Sequence, residues 1–198
     1  MSLSDHHTDR PQCRQQRPSS ANLAFKGKLF EVWQWNQTLF DGSTARFETL
    51  RRPDTVLVIP ILSNGDIIFA EEKQPGMSPL LHAVGGRIEP GESPEEAARR
   101  ELLEESGYVA EEWSIWDAWQ PVMKIDWAVY LFVARQLSVA SAQHLDSGEK
   151  IRLRFISARQ LLDRESDLEL DDYELLYKLY QARSSDSERQ RVAKLFGI

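Results

Sequence analysis

Cysteine is almost missing from this 198-residue sequence: Cys13 is the only one. A single thiol excludes an intramolecular disulfide and fits a reducing cytosol. Cys13 stands in a polar stretch and is given no catalytic role. No apolar run reaches about 18 residues, which argues against a membrane-spanning helix. The first residues lack an apolar signal core, so a cytoplasmic location is expected rather than secretion. There is no run of Lys or Arg, and the net charge is −7. Both argue against nucleic acid as the main partner. No internal repeat is present. Hydrophobic residues make up 41% of the chain, enough for the core of one domain with extensions.

The informative stretch runs from Gly86 to Tyr108, GRIEPGESPEEAARRELLEESGY. Its second half has the marks of a helix over 94–106. Ser93 is a good N-cap, and Pro94 sits where its missing N–H costs nothing. Glu96 can close a capping box. Ala97, Ala98, Leu102 and Leu103 favour helix, and Gly107 is a left-handed stop. A tight Gly-rich loop, with Gly85-Gly86 and Pro90-Gly91, is expected before it. Glu101, Glu104 and Glu105 fall at i, i+3 and i+4, on one helix face. Three carboxylates this close repel one another. A hard cation, Mg²⁺ or Mn²⁺, would remove the conflict, since it seeks oxygen ligands. Arg100 can pair with Glu104 one turn on. The Gly85-Gly86 backbone, free of Cβ atoms, lets a carbonyl approach the same ion.

A solvated acidic helix face is the plain alternative, and three glutamates alone would favour it. The whole stretch changes the balance. Gly86, Glu92, Arg100, Glu101, Leu102, Glu104, Glu105 and Gly107 fit Gly-x5-Glu-x7-Arg-Glu-U-x-Glu-Glu-x-Gly-U, with U aliphatic. A chance match to the seven fixed positions is on the order of 10⁻⁹ per start point. This is the Nudix box, and the chain resembles a Nudix hydrolase. One departure is Tyr108, where an aliphatic residue is usual.

Around the box, residues 1–20 read as a disordered polar tail. Residues 21–53 read as an N-terminal strand segment, and 54–198 as the main domain. LFEVWQW and ARFETLRR are strands separated by Asp41-Gly42. Trp33 and Trp35 share a face, suited either to stacking on a base or to packing in a core or interface. Arg51 and Arg52 end the segment; either suits a phosphate or an exposed strand end. TVLVIPIL, IIFAEE, LLHAV, WSIWDAW, WAVYLFVARQL and KIRLRFIS read as strands. His82 is expected to be a packed strand residue. VASAQHLDSGE is a polar loop suited to a lid. ARQLLDRE, DDYELLYKLYQARS and SERQRVAKLF read as helices. In the second of these, Leu175, Leu176, Leu179 and Tyr180 form an apolar stripe. Strands, a helix, strands and helices argue for an α/β or α+β sandwich. The Nudix resemblance implies an α/β/α sandwich with a mixed sheet.

The resemblance also implies chemistry: cleavage, between the phosphates, of a nucleoside diphosphate linked to another group. Glu101 and Glu105 would be metal ligands, Glu104 a ligand or proton acceptor, and the Gly85 carbonyl a further ligand. Arg100 would hold the glutamates, Glu92 would brace the loop or bind metal through water, and Gly86 and Gly107 would shape the loop. Glu149 sits where ADP-ribose pyrophosphatases carry a general base; a surface loop glutamate is the alternative. The N-terminal strands, Pro121 and the Glu149 loop resemble the ADP-ribose and sugar-nucleotide branch, usually a homodimer. Departures from that branch are Gln74-Pro75-Gly76, Val84, and Met123 to Asp126. They leave ADP-ribose and another sugar nucleotide both open. Two other readings stand beside these: a (d)NTP pyrophosphohydrolase, and a non-catalytic nucleotide sensor on the same fold. The partner in each is a small nucleotide.

Overall fold

The computed structural model describes residues 9–145, 147–163 and 170–198. The chain divides into two units. One is Met1–Thr55 with Ala118–Tyr130, and the other is Val56–Asp117 with Leu131–Ile198.

The first unit is built on a four-stranded sheet in the order β1-β2-β3-β8. Its strands are β1 (Asn22–Lys26), β2 (Glu31–Thr38), β3 (Thr44–Arg51) and β8 (Ile125–Asp126). β1, β2 and β3 are antiparallel neighbours, while β8 runs parallel to β3, so the sheet is mixed. The β2–β3 turn forms because Gly42 takes φ +84° and the Asp41 carboxylate accepts the Ser43 amide at 3.0 Å. The strand segment expected over 21–53 thus also takes in residues from 118–130.

Residues 9–20 carry no helix or strand, yet they are tied down where the sequence suggested a mobile tail. Arg10 bonds Asp54 at 2.7 Å and Asp126 at 2.7 Å. Gln120 donates to the Pro11 carbonyl at 2.8 Å. Cys13 is buried, its thiol facing the Met123 carbonyl at 3.5 Å. The remainder of the expected tail, 1–8, lies outside the described residues.

The second unit holds most of a six-stranded sheet in the order β10-β5-β6-β4-β9-β7. Its strands are β4 (Thr55–Pro60), β5 (Asp66–Lys73), β6 (Leu80–Arg87), β7 (Tyr108–Trp119), β9 (Val129–Val139) and β10 (Lys150–Ser157). β10, β5 and β6 are antiparallel neighbours. Val56, Val58, Ile59, Ile67, Ile68, Phe69 and Leu131 are fully buried. Near-continuous apolar runs such as these mark strands covered on both faces. β10 is one edge of the sheet, with Lys150, Arg152 and Arg154 exposed along it.

Four helices complete this unit: α1 (Pro94–Ser106), α2 (Ala158–Asp163), α3 (Tyr173–Ala182) and α4 (Asp186–Phe196). Trp113 on β7 lies under Arg99 of α1, 4.8 Å from the ring centroid. Trp116 meets Phe196 of α4 edge-to-face at 5.3 Å. Residues three apart on a strand point to opposite faces, so helices cover both sides of the sheet. On α3 the buried stripe is Leu175, Lys178, Leu179 and Ala182. Tyr180, expected in that stripe, is exposed instead. Lys178 takes a core position because its ammonium reaches Asp117 at 2.5 Å. Among the described residues, no helix is long and apolar enough to cross a membrane.

Candidate active site

α1 starts and stops on local signals. The Ser93 hydroxyl accepts the Glu96 amide at 3.3 Å, and the Glu96 carboxylate accepts the Ser93 amide at 2.7 Å. Both halves of the capping box are therefore made. Gly107 closes the helix at φ +76°, donating to the Leu103 carbonyl at 2.8 Å. Ala98, Leu102 and Glu105 lie at i, i+4 and i+7, and all three are buried. A carboxylate therefore occupies the third position of an apolar stripe.

Glu105 is 8% exposed. Its Oε2 accepts the Gly85 amide at 3.0 Å. Burial pushes its carboxyl well above the usual carboxylate range. The Gly85 bond opposes this, while the charges of Glu101, Glu72 and Glu149 reinforce it. Burial raises the Glu101 carboxyl too; Arg100 opposes the shift, and Glu104 and Glu149 add to it. The Glu149 loop therefore brings its charge within reach of both Glu101 and Glu105.

Arg100 organises the acidic groups. Its Nε and Nη2 grip Glu92 at 2.7 and 3.0 Å. Its Nη1 donates to Glu101 at 2.8 Å and to Glu104 at 3.0 Å. Nη2 also donates to the Arg87 carbonyl at 2.9 Å. Arg100 holds the Glu92 carboxyl below its usual range, helped by the Glu89 amide at 2.9 Å. This ties the loop over 88–92 to the helix.

Gly85 and Gly86 lie in β6, not in a turn. Packing explains why they are glycines. A Cβ on Gly85 would meet the Val56 carbonyl oxygen at 2.2 Å, and one on Gly86 would meet the Glu101 carboxylate at 2.4 Å. At the other end of the helix, the Gly107 carbonyl accepts the Ala140 amide at 2.9 Å. His144 donates to the Glu104 carbonyl at 2.8 Å, and the Gln143 side chain donates to the Glu105 carbonyl. The first part of the loop expected as a lid is thus fastened to the end of α1. Asp146, within that loop, lies outside the described residues.

Among the described residues, no three acidic, His or Cys side chains are already drawn together as a metal cage. Arg100 stands between Glu101 and Glu104 instead. The donor chemistry nonetheless fits a hard divalent ion. Glu101 and Glu105 are shielded carboxylates pushed up chiefly by burial and further by neighbouring carboxylate charge, beside a backbone cleared of side chains.

Trp33, Trp35, Arg51 and Arg52 belong to the first unit. Trp35 is buried against Phe47 at 6.2 Å, and Trp33 is half-buried with Arg17 stacked 3.9 Å over it. Arg52 stacks on Trp127 at 4.4 Å. Arg51 is exposed.

Sequence reasoning missed two features near the glutamates. Glu72 pairs with His82 at 3.0 Å, both half-buried. Asp171 and Asp172 reach β6: the Asp171 carboxylate accepts the Leu81 amide at 2.7 Å, and the Asp172 carboxylate accepts the Ala83 amide. The sequence offered no signal for these contacts, which span about ninety residues.

Residues 51–179 match the NUDIX domain family. An ADP-ribose pyrophosphatase of Bacillus subtilis is 27% identical, over 78% of this chain and 85% of its own length. A methanol dehydrogenase activator of Bacillus methanolicus is 34% identical, over 65% of this chain and 71% of its own. A solved structure of an ADP compounds hydrolase shares the fold, with a TM-score of 0.68 at 22% identity. That match covers 88% of this chain and 93% of the other.

Proposed function

The chain belongs to the Nudix hydrolase family, and on that premise we propose that it cleaves ADP-ribose or a related sugar nucleotide to a nucleoside monophosphate and a sugar phosphate. The observation that carries this is Glu105, a carboxylate on the buried stripe of α1, bonded to Gly85 and beside Glu101. The Bacillus subtilis relative, an ADP-ribose pyrophosphatase, supports the choice of substrate.

In this reading Glu101, Glu105 and the Gly85 carbonyl hold a divalent ion, Mg²⁺ with Mn²⁺ as a substitute. Bound there, the ion would neutralise diphosphate charge and acidify water. The protein's own residues do the rest. Arg100 orients Glu101 and Glu104 and anchors the loop through Glu92. Glu149, or Glu104 in its place, accepts a proton from the attacking water. The water oxygen bonds to one phosphorus. The bridging P–O bond breaks, and its electron pair stays on the departing phosphate. Exposed Leu23, Phe25 and Phe47 in the first unit support a homodimer. The single cysteine supports a cytoplasmic setting.

The test is a substrate panel with Mg²⁺ or Mn²⁺: ADP-ribose, UDP- and GDP-sugars, dinucleoside polyphosphates and triphosphates. AMP plus ribose phosphate is the expected outcome. Pyrophosphate released from triphosphates would replace this reading with nucleotide-pool hydrolysis. Binding without turnover would make the protein a sensor.

A further inference from the structure

β6 carries Gly85 and Gly86 to the glutamates of α1. Alternate residues of a strand turn their amides to the same edge. On one edge of β6 these are Leu81, Ala83 and Gly85. Each donates to a carboxylate: Leu81 to Asp171 at 2.7 Å, Ala83 to Asp172, and Gly85 to Glu105 at 3.0 Å. Asp171 also returns its own amide to the Leu81 carbonyl at 2.8 Å. Two consecutive aspartates thus stand in for a neighbouring strand just before the point where Glu105 takes over.

Asp172 is the N-cap residue of α3, yet its side chain makes no cap bond to that helix. An N-cap aspartate would ordinarily bond its own first turn. Here that bond is given up for β6. The carboxyl is also shielded from water, with the charges of Glu174 and Asp171 nearby; the Ala83 amide and His82 oppose them. Nothing in α3 itself accounts for that placement; the strand does.

We propose that Asp171 and Asp172 are positioning residues: they pin the register of β6 so that the Gly85 backbone and Glu105 stand ready for a divalent ion. The proposal rests on the metal-binding reading of Glu101, Glu105 and Gly85. A strand that slips or frays at 81–83 moves Gly85, two residues on, and a one-residue slip turns its amide to the other edge. Partners that orient ligands in this way typically change metal affinity by about 10- to 100-fold when removed.

The experiment is calorimetric titration with Mg²⁺ and Mn²⁺, at a temperature where every variant is folded. Asp172→Ala is expected to bind the ion about 10- to 100-fold more weakly. Asp172→Asn, which keeps an acceptor oxygen, is expected to restore affinity to within about threefold; a purely structural contact would shift the melting temperature of either variant without this pattern. Equal affinity in wild type and Asp172→Ala overturns the proposal alone. No uptake by wild type overturns the metal reading and the proposal with it. Should Asp172→Ala fail to fold, Asp171→Ala and wild-type amide exchange carry the test. The Leu81 and Ala83 amides are expected to be protected; exchange as fast as in an open loop overturns the clamp.

Discussion

Replacing Arg100 by Lys tests whether a planar fork, rather than a positive charge, assembles the acidic cluster. The guanidinium makes five bonds: two to Glu92, one each to Glu101 and Glu104, and one to the Arg87 carbonyl. A lysine ammonium has three protons on one nitrogen and cannot span these partners. At least two of the five bonds are lost, and more where a single nitrogen cannot reach. The Glu104 contact counts for little, because that side chain is 42% exposed. The Arg87 bond is exposed and counts for little too; the three half-buried bonds, two to Glu92 and one to Glu101, contribute about 1 kcal/mol each after rehydration, for a total of about 3 kcal/mol if all are lost. At 2–4 °C per kcal/mol for a chain of this size, the melting temperature should fall by roughly 6–12 °C. The assay is thermal unfolding in chelator at pH 7.5, so that only protein contacts are read. A double-mutant cycle with Glu92→Gln should give a coupling of about 1 kcal/mol or more. A shift below about 2 °C together with additive mutants would refute the claim that Arg100 ties the loop to the helix.

Glu105→Gln should abolish turnover and metal uptake, yet raise the metal-free melting temperature near pH 8. A neutral amide can still accept the Gly85 amide without the cost of a buried charge; a variant with near-normal rates would contradict the assignment. Glu149→Gln should lower the rate about 10²- to 10⁴-fold with ion affinity little changed. A loss of only a few-fold, in single-turnover kinetics, would move the proton-accepting role to Glu104. Asp172 has its carboxyl pushed up to about 6 from 3.8, chiefly by burial. Its ionised form is disfavoured on folding, so its contribution is whole below about pH 4 and is lost as the pH climbs through 6. The loss is up to roughly 3 kcal/mol. Denaturant unfolding at pH 4–7 should show that decline in wild type relative to Asp172→Asn; parallel curves would contradict it.

The helix of the site was legible because its signals are local. Ser93, Pro94, Glu96 and Gly107 lie within fifteen residues, and each sets its own neighbours' backbone. The buried strands were legible because runs such as Val56 to Ile59 have few other solutions. What stayed hidden depends on partners distant in sequence. Gly85 and Gly86 read as a turn because glycine pairs usually mark one. Only the approach of Val56 and Glu101 reveals a strand. Lys178 broke an apolar stripe because Asp117, 61 residues earlier, receives its charge. Asp171 and Asp172 looked like an ordinary helix start, since nothing nearby in sequence announces Leu81 and Ala83. Cys13 is buried among carbonyls supplied more than a hundred residues later.

The cationic fringe of β10 bears on how the molecule behaves in a crowd. An outermost strand presents open backbone donors and acceptors to any passing chain, an invitation to polymerise. Lys150, Arg152 and Arg154 ring that border with charge of one sign, and Glu71 cancels only part of it. Two copies approaching border to border would repel before their backbones could zip together, so a protein with a net negative charge keeps its most vulnerable rim positive.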